Sequence, residues 1–141
     1  MKKLIFAFLF LATNSFALEL HTYDQINAAV STGKSIHILI HYSQCTAPSA
    51  KPEQSGSSSV FTPNEMSINN DNGYIAASLM HFTLNNPDFL GKPIYEFSRY
   101  TLLNNNSVSL SSQVLDAVTY SPLTNKVTYN CQLNTGAKVY I

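Results

Sequence analysis

Two cysteines, Cys45 and Cys131, stand 86 positions apart in a chain of 141 residues that has no others. The chain opens with MKKLIFAFLFLATNSFA, in which Lys2 and Lys3 precede an apolar run from Leu4 to Ala12. Ser15-Phe16-Ala17 then places small residues at the −3 and −1 positions of a cleavage site. This is the pattern of a secretory leader over residues 1–17, too short to span a bilayer and followed by no lipid-accepting cysteine. Export to an oxidising compartment makes pairing of the two cysteines the simplest expectation. Such a bridge ties an early segment to a late one, so every element between them must fold inside the loop. Their spacing excludes a CxxC redox motif.

Cleavage after Ala17 leaves 124 of the 141 residues, residues 18–141, enough for one domain with a modest core. Loss of Lys2 and Lys3 takes the formal charge from 0 to −2, with six basic residues against eight acidic. No basic cluster supports binding to nucleic acid or to an anionic membrane. The chain is therefore expected in the periplasm or outside the cell, as a monomer without a membrane anchor.

One helix is predicted, from Thr22 to Ser31. Thr22 and Gln25 form a capping box, Tyr23, Ile26 and Val30 fall on one stripe, and Gly33 stands where a left-handed residue stops a helix. Ser35 to Ser43 follows as a strand with Ile36, Ile38 and Ile40 on its inner face, ending at Cys45. Thr46 to Ser59 carries two Pro, one Gly and five Ser without apolar period and reads as a surface loop. Beyond it the pattern is of successive antiparallel strands: Met66-Ser67-Ile68, Tyr74 to Leu84, Pro93 to Leu103, Ser107 to Leu115, Lys126 to Leu133 and Lys138 to Ile141. Turns at Asn69 to Gly73, Asn104-Asn105-Asn106 and Asn134-Thr135-Gly136 separate several of them. The fold class is α+β, mainly antiparallel β: one N-terminal helix on a six- to seven-stranded sandwich or partly closed barrel.

No catalytic motif stands out. His37 and His41 share a strand face but sit about 13 Å apart, too far for one metal ion. His21 and His81 lie elsewhere, so no metal and no cofactor is expected. There is no GxSxG elbow, phosphate loop or HExxH, and only convergence of Glu96 with Asp116 would supply a glycosidase-type carboxylate pair. In Pro93-Ile94-Tyr95-Glu96-Phe97-Ser98-Arg99-Tyr100, Glu96 and Arg99 point to opposite faces because their separation is odd. Either charge then calls for a cross-strand partner, and His81 is the first candidate.

In order, these segments resemble the VirK family of small exported bacterial proteins. The resemblance rests on the helix ending at Gly33-Lys34, on Tyr42-Ser43-Gln44-Cys45, on His81-Phe82-Thr83, on the Pro93 to Tyr100 segment, and on Tyr129-Asn130-Cys131 with Gly136 after it. It covers the chain from about Tyr23 to Tyr140. It implies an exported, virulence-associated protein, and it brings no catalytic residues with it. It singles out His81, Glu96, Arg99 and Tyr100 as the functional cluster to test. Export, a stapled compact domain and the absence of a catalytic constellation make the expected role that of a non-enzymatic accessory protein, acting by binding a protein or small ligand. Tyr42, Tyr95 and Tyr100 suit a contact surface. Two alternatives stand beside this reading. A hydrolase-like or isomerase-like enzyme needs His81, Glu96 and Arg99 in one cleft, and a lipid-carrying barrel needs an enclosed apolar cavity.

Overall fold

The computed structural model describes residues 17–47 and 56–141. The leader reading and most of the serine-rich loop lie outside the described residues. A short strand, β1 (Glu19–Leu20), leads into helix α1 (Tyr23–Ser31). Then follow β2 (His37–His41), β3 (Ser58–Phe61), β4 (Glu65–Asn69), β5 (Tyr74–Thr83), β6 (Ile94–Leu103), β7 (Ser107–Asp116), β8 (Val127–Gln132) and β9 (Ala137–Tyr140). They form two antiparallel sheets, ordered β1-β9-β2-β3 and β4-β5-β6-β7-β8.

The helix forms as its caps dictate. The Thr22 side chain accepts from Gln25 N–H at 3.3 Å, and the Gln25 amide oxygen reaches back to the Thr22 N–H. At the other end Gly33 adopts φ +79, and Gly33 N–H and Lys34 N–H bond Val30 O and Ala29 O. This Schellman arrangement satisfies two of the last carbonyls of the helix. Tyr23, Ile26 and Ala29 turn inward. The helix closes one end of the sandwich, where Tyr23 N–H donates to Asn106 Oδ1 (2.7 Å) and Asn27 reaches Asn70 (3.4 Å).

The two sheets bury their facing sides against each other in one core. Ile38, Ile40, Ala137 and Val139 come from the four-stranded sheet. Ile75, Ala77, Tyr100, Leu102, Val108, Leu110, Tyr129 and Cys131 come from the five-stranded one. The sheets do not join into a barrel, so the architecture is the sandwich. Among the described residues, nine strands replace the expected six or seven. The two missed ones are edge strands with little signal: β1 is two residues long, and β3 reads SSVF at the end of a serine-rich run.

Cys45 and Cys131 are bonded to each other, with Cα atoms 4.4 Å apart. The first cysteine does not end a strand as expected. β2 stops at His41, and the chain makes a 3₁₀ turn over Tyr42–Gln44 before Cys45. That turn carries the chain from the β2 sheet to the β8 sheet, where Thr46 and Asn130 exchange two backbone hydrogen bonds of 2.8 Å. The bridge therefore staples one sheet to the other.

Candidate functional site

The lengths of the strands decide what is exposed. β5, β6 and β7 each run ten residues, whereas β2 has five and β3 and β9 four. The four-stranded sheet cannot cover the whole inner face of its partner. Among the described residues, no second sheet covers the outer face of the five-stranded sheet.

Glu96, Ser98 and Tyr100 lie on the inner face, and Arg99 points out into solvent. In register, His81 stands directly opposite Glu96, so of the two charges Glu96 is the one that meets it, while Arg99 stands opposite Ser78. Both occupy the end of the inner face beyond the core, where His81 is exposed and Glu96 half-buried. The Glu96 carboxylate accepts from Asn86 Nδ2 at 2.8 Å, and Asn86 also caps the 3₁₀ turn Pro87–Phe89. Tyr100 is fully buried against Phe61, with ring centroids 5.3 Å apart. The structure thus brings His81 and Glu96 together, places Arg99 on the opposite face, and withdraws Tyr100 into the core. The single cleft that the enzyme alternative requires is not formed.

Burial governs the phenols around Tyr100. It pushes the Tyr100 hydroxyl well above the usual tyrosine range, with Ser98 acting against the shift and Tyr42 reinforcing it. It also raises Tyr42, where Ser59 acts in the opposite sense, and Tyr129, where Tyr42 reinforces it. Tyr42 and Tyr129 pack at 4.7 Å. Burial thus favours the neutral phenols, whose rings pack in and against the core. His37 and His41 are held by Thr62 and Ser58, each at 2.7 Å.

The outer face carries the concave feature. An open groove of about 250 Å³ is lined by Glu65, Ser67, Ala76, Ser78, Phe97 and Arg99, among others. Glu65, Ser78 and Arg99 form one cross-strand row, so a carboxylate and a guanidinium face each other across a serine. Small side chains at Ala76, Ser67 and Ser78 make the floor, and Phe97 rises beside it. Arg99 enters none of the ion pairs among the described residues. A groove of this kind can take an extended polar chain or a small ligand, with Arg99 as a bidentate donor.

Next to the groove runs an aromatic row. Phe82 meets Tyr95 edge-on at 5.6 Å, and Tyr95 stacks on Tyr120 at 5.8 Å with rings 8° from parallel. Tyr120 holds φ +59, a left-handed conformation unusual for a bulky side chain. Asp116 enforces it: its carbonyl accepts from Tyr120 N–H, and its carboxylate accepts from Val118 N–H and Thr119 N–H. Those N–H groups, together with Lys92 at 3.2 Å, hold the Asp116 carboxyl down at about 2. This carboxylate is committed to its own turn. Period-two apolar residues at Met80, Phe82 and Leu84 were the only sequence signal for this row; nothing local marks the ring of Tyr120 as its end.

The comparisons with known proteins bear on the whole chain. The family model described as VirK protein matches residues 19–120. The chain belongs to the VirK family. A crystal structure of lpg1832, a VirK family protein from Legionella pneumophila, superposes with a TM-score of 0.78 at 31% identity, covering 89% of this chain and 100% of that one. Two curated relatives span comparable lengths. One, from Rhizobium radiobacter, is described as an uncharacterized protein in the pinF2 3′ region, 27% identical over 131 residues, 90% of this chain and 88% of that protein. The other is the uncharacterized protein y4wH of Sinorhizobium fredii, 24% identical over 143 residues, 96% of this chain and 93% of that protein. The TM-score places this chain's two-sheet sandwich in the same fold as that VirK family structure, and the outer face of the five-stranded sheet is where this chain presents its groove.

Proposed function

We infer that this VirK protein is an exported accessory protein that acts by binding, with the outer face of the five-stranded sheet as its contact surface. The observation that carries this reading is the groove of about 250 Å³ in which exposed Arg99 faces Glu65 across small side chains beside Phe97. An unpaired guanidinium at the surface of a concave site is available to a carboxylate or carbonyl of a protein segment or small ligand. The stapled sandwich supports the groove on paired strands, which favours a preformed site over a mobile one. The disulfide and the lack of any membrane-crossing helix among the described residues are compatible with export and virulence-associated action in the periplasm or beyond.

Two measurements test it. Cross-linking of the full-length protein in its native compartment should capture a partner, or native mass spectrometry should retain a ligand. Arg99→Glu should abolish either signal while leaving unfolding unchanged. Absence of both partner and ligand from the wild-type protein, or capture that Arg99→Glu leaves intact, would overturn the assignment.

A further inference from the structure

The large apolar side chains left in solvent are not scattered. Of the eight that are strongly exposed among the described residues, Met80, Phe82, Leu84, Leu90, Val118 and Tyr120 gather at one end of the five-stranded sheet. They sit on the end of β5, the β5–β6 connection and the turn after β7. The two most exposed, Val118 at 80% and Leu90 at 78%, are aliphatic and occupy the tips of these two connections. The Lys92–Asp116 ion pair joins the connections at 3.2 Å. Each tip is also held by its own backbone. Gly91 N–H bonds Leu84 O and Lys92 N–H bonds Phe89 O, while Asp116 fixes Val118 and Thr119. Behind the tips, the row Phe82–Tyr95–Tyr120 combines apolar rings with phenolic hydroxyls.

We propose that this end of the sandwich docks reversibly on an electrically neutral lipid surface, with Leu90 and Val118 inserting and Tyr120 and Tyr95 at headgroup level. Three observations select this occupant. The most exposed residues are aliphatic tips with no polar atoms in their side chains, suited to an acyl boundary, and tyrosines behind such tips match the amphipathic belt of membrane interfaces. At exposures of 41–80% of side chains that each offer about 150–250 Å², the six expose on the order of 600 Å². That is at the top of the range for the largest patch of a monomer, and short of the roughly 800 Å² per partner of a stable dimer. The charges of this end carry no basic excess: Lys92 pairs with Asp116, and Lys126 stands against Asp88 and Glu96, two basic groups against three acidic. A zwitterionic surface therefore fits and an anionic one gains nothing. The proposal uses loops apart from the Arg99 groove and does not depend on it.

The test is flotation of the oxidised mature protein, residues 18–141, with phosphatidylcholine vesicles, so that the apolar leader cannot itself carry the chain onto the lipid. The expected result is partitioning that survives about 1 M salt, where the Debye length is about 3 Å. Partitioning should not increase when phosphatidylserine is added, and should fall about tenfold or more in Leu90→Asn/Val118→Asn, the order expected for losing several buried methylenes. Both tips are solvent-exposed, so the double variant should unfold at the wild-type midpoint, and Arg99→Glu should partition like wild type. No partitioning of the wild-type protein, or partitioning indifferent to the double substitution, overturns the proposal. So does a dimer in sedimentation equilibrium that the double variant dissolves, with no vesicle binding, since the patch would then be a self-association face.

Discussion

Removing the disulfide should lower stability through the unfolded chain more than through the native contacts. The cross-linked residues are 86 apart, and a loop of that size loses closure entropy equivalent to about 4.6 kcal/mol in the chain-entropy model. Measured effects usually fall below the model, so the expected loss is about 2–4 kcal/mol. Domains of this size have a total stability of roughly 5–15 kcal/mol, which makes the loss a large share. With a urea m-value of about 1–3 kcal/mol/M, the midpoint of Cys45→Ala/Cys131→Ala should fall by about 1–2 M, and the melting temperature by roughly 10–15 °C. The assay is equilibrium urea unfolding of the oxidised protein, the reduced protein and the double variant. Reduced protein and double variant should nearly coincide, because both lose the tether while Cys131 gives up only a small buried side chain. A midpoint within about 0.3 M of wild type would refute the reasoning. A double variant much less stable than the reduced protein would show that local packing, not tethering, carries the effect.

Four further outcomes follow from particular residues. Ile38→Ala, on the inner face of β2 with no exposure, should cost about 2–5 kcal/mol, whereas Arg99→Ala should stay within about 0.5 kcal/mol in the same urea series. Gly136→Ala should cost about 1–3 kcal/mol, since its Cβ would lie 2.7 Å from both Cys45 Sγ and the Gln44 carbonyl oxygen; differential scanning calorimetry reads it. Thr22→Ala should cost about 1 kcal/mol by removing the N-cap acceptor, measured by thermal unfolding. The Asp116 carboxyl, depressed to about 2 when folded, contributes stability that is complete above the ordinary carboxylate range and is lost as pH falls through about 2. Carboxyl NMR titration should show this low midpoint, and Asp116→Asn should flatten the acid limb of a stability–pH curve.

Much of the fold was legible because local signals agreed with the global one. The Thr22/Gln25 box and Gly33 placed the helix, the Ile36-Ile38-Ile40 alternation placed the inner face of β2, and the Asn-rich turns at Asn69 to Gly73 and at Asn106 placed the hairpins. The edge strands escaped because pairing, not side-chain pattern, makes them strands. The candidate cluster was half legible. Parity on β6 separates Glu96 from Arg99, and register sets His81 opposite Glu96. Burial of Tyr100 needed the second sheet, since the sequence does not say how far the four-stranded layer reaches along the five-stranded one. The groove and the aromatic row were missed for the same reason. They arise from cross-strand rows such as Glu65–Ser78–Arg99 and Phe82–Tyr95–Leu115, whose members are far apart in the chain.

The most direct measurement compares faces in the living cell. A photo-cross-linking side chain at Ser78, on the floor of the groove, should give a discrete adduct, and the same probe at Asn27 on the helix should give none. Arg99→Glu should erase the Ser78 adduct. An adduct only from Asn27, or a Ser78 adduct that Arg99→Glu leaves untouched, would contradict the outer sheet face as the binding surface.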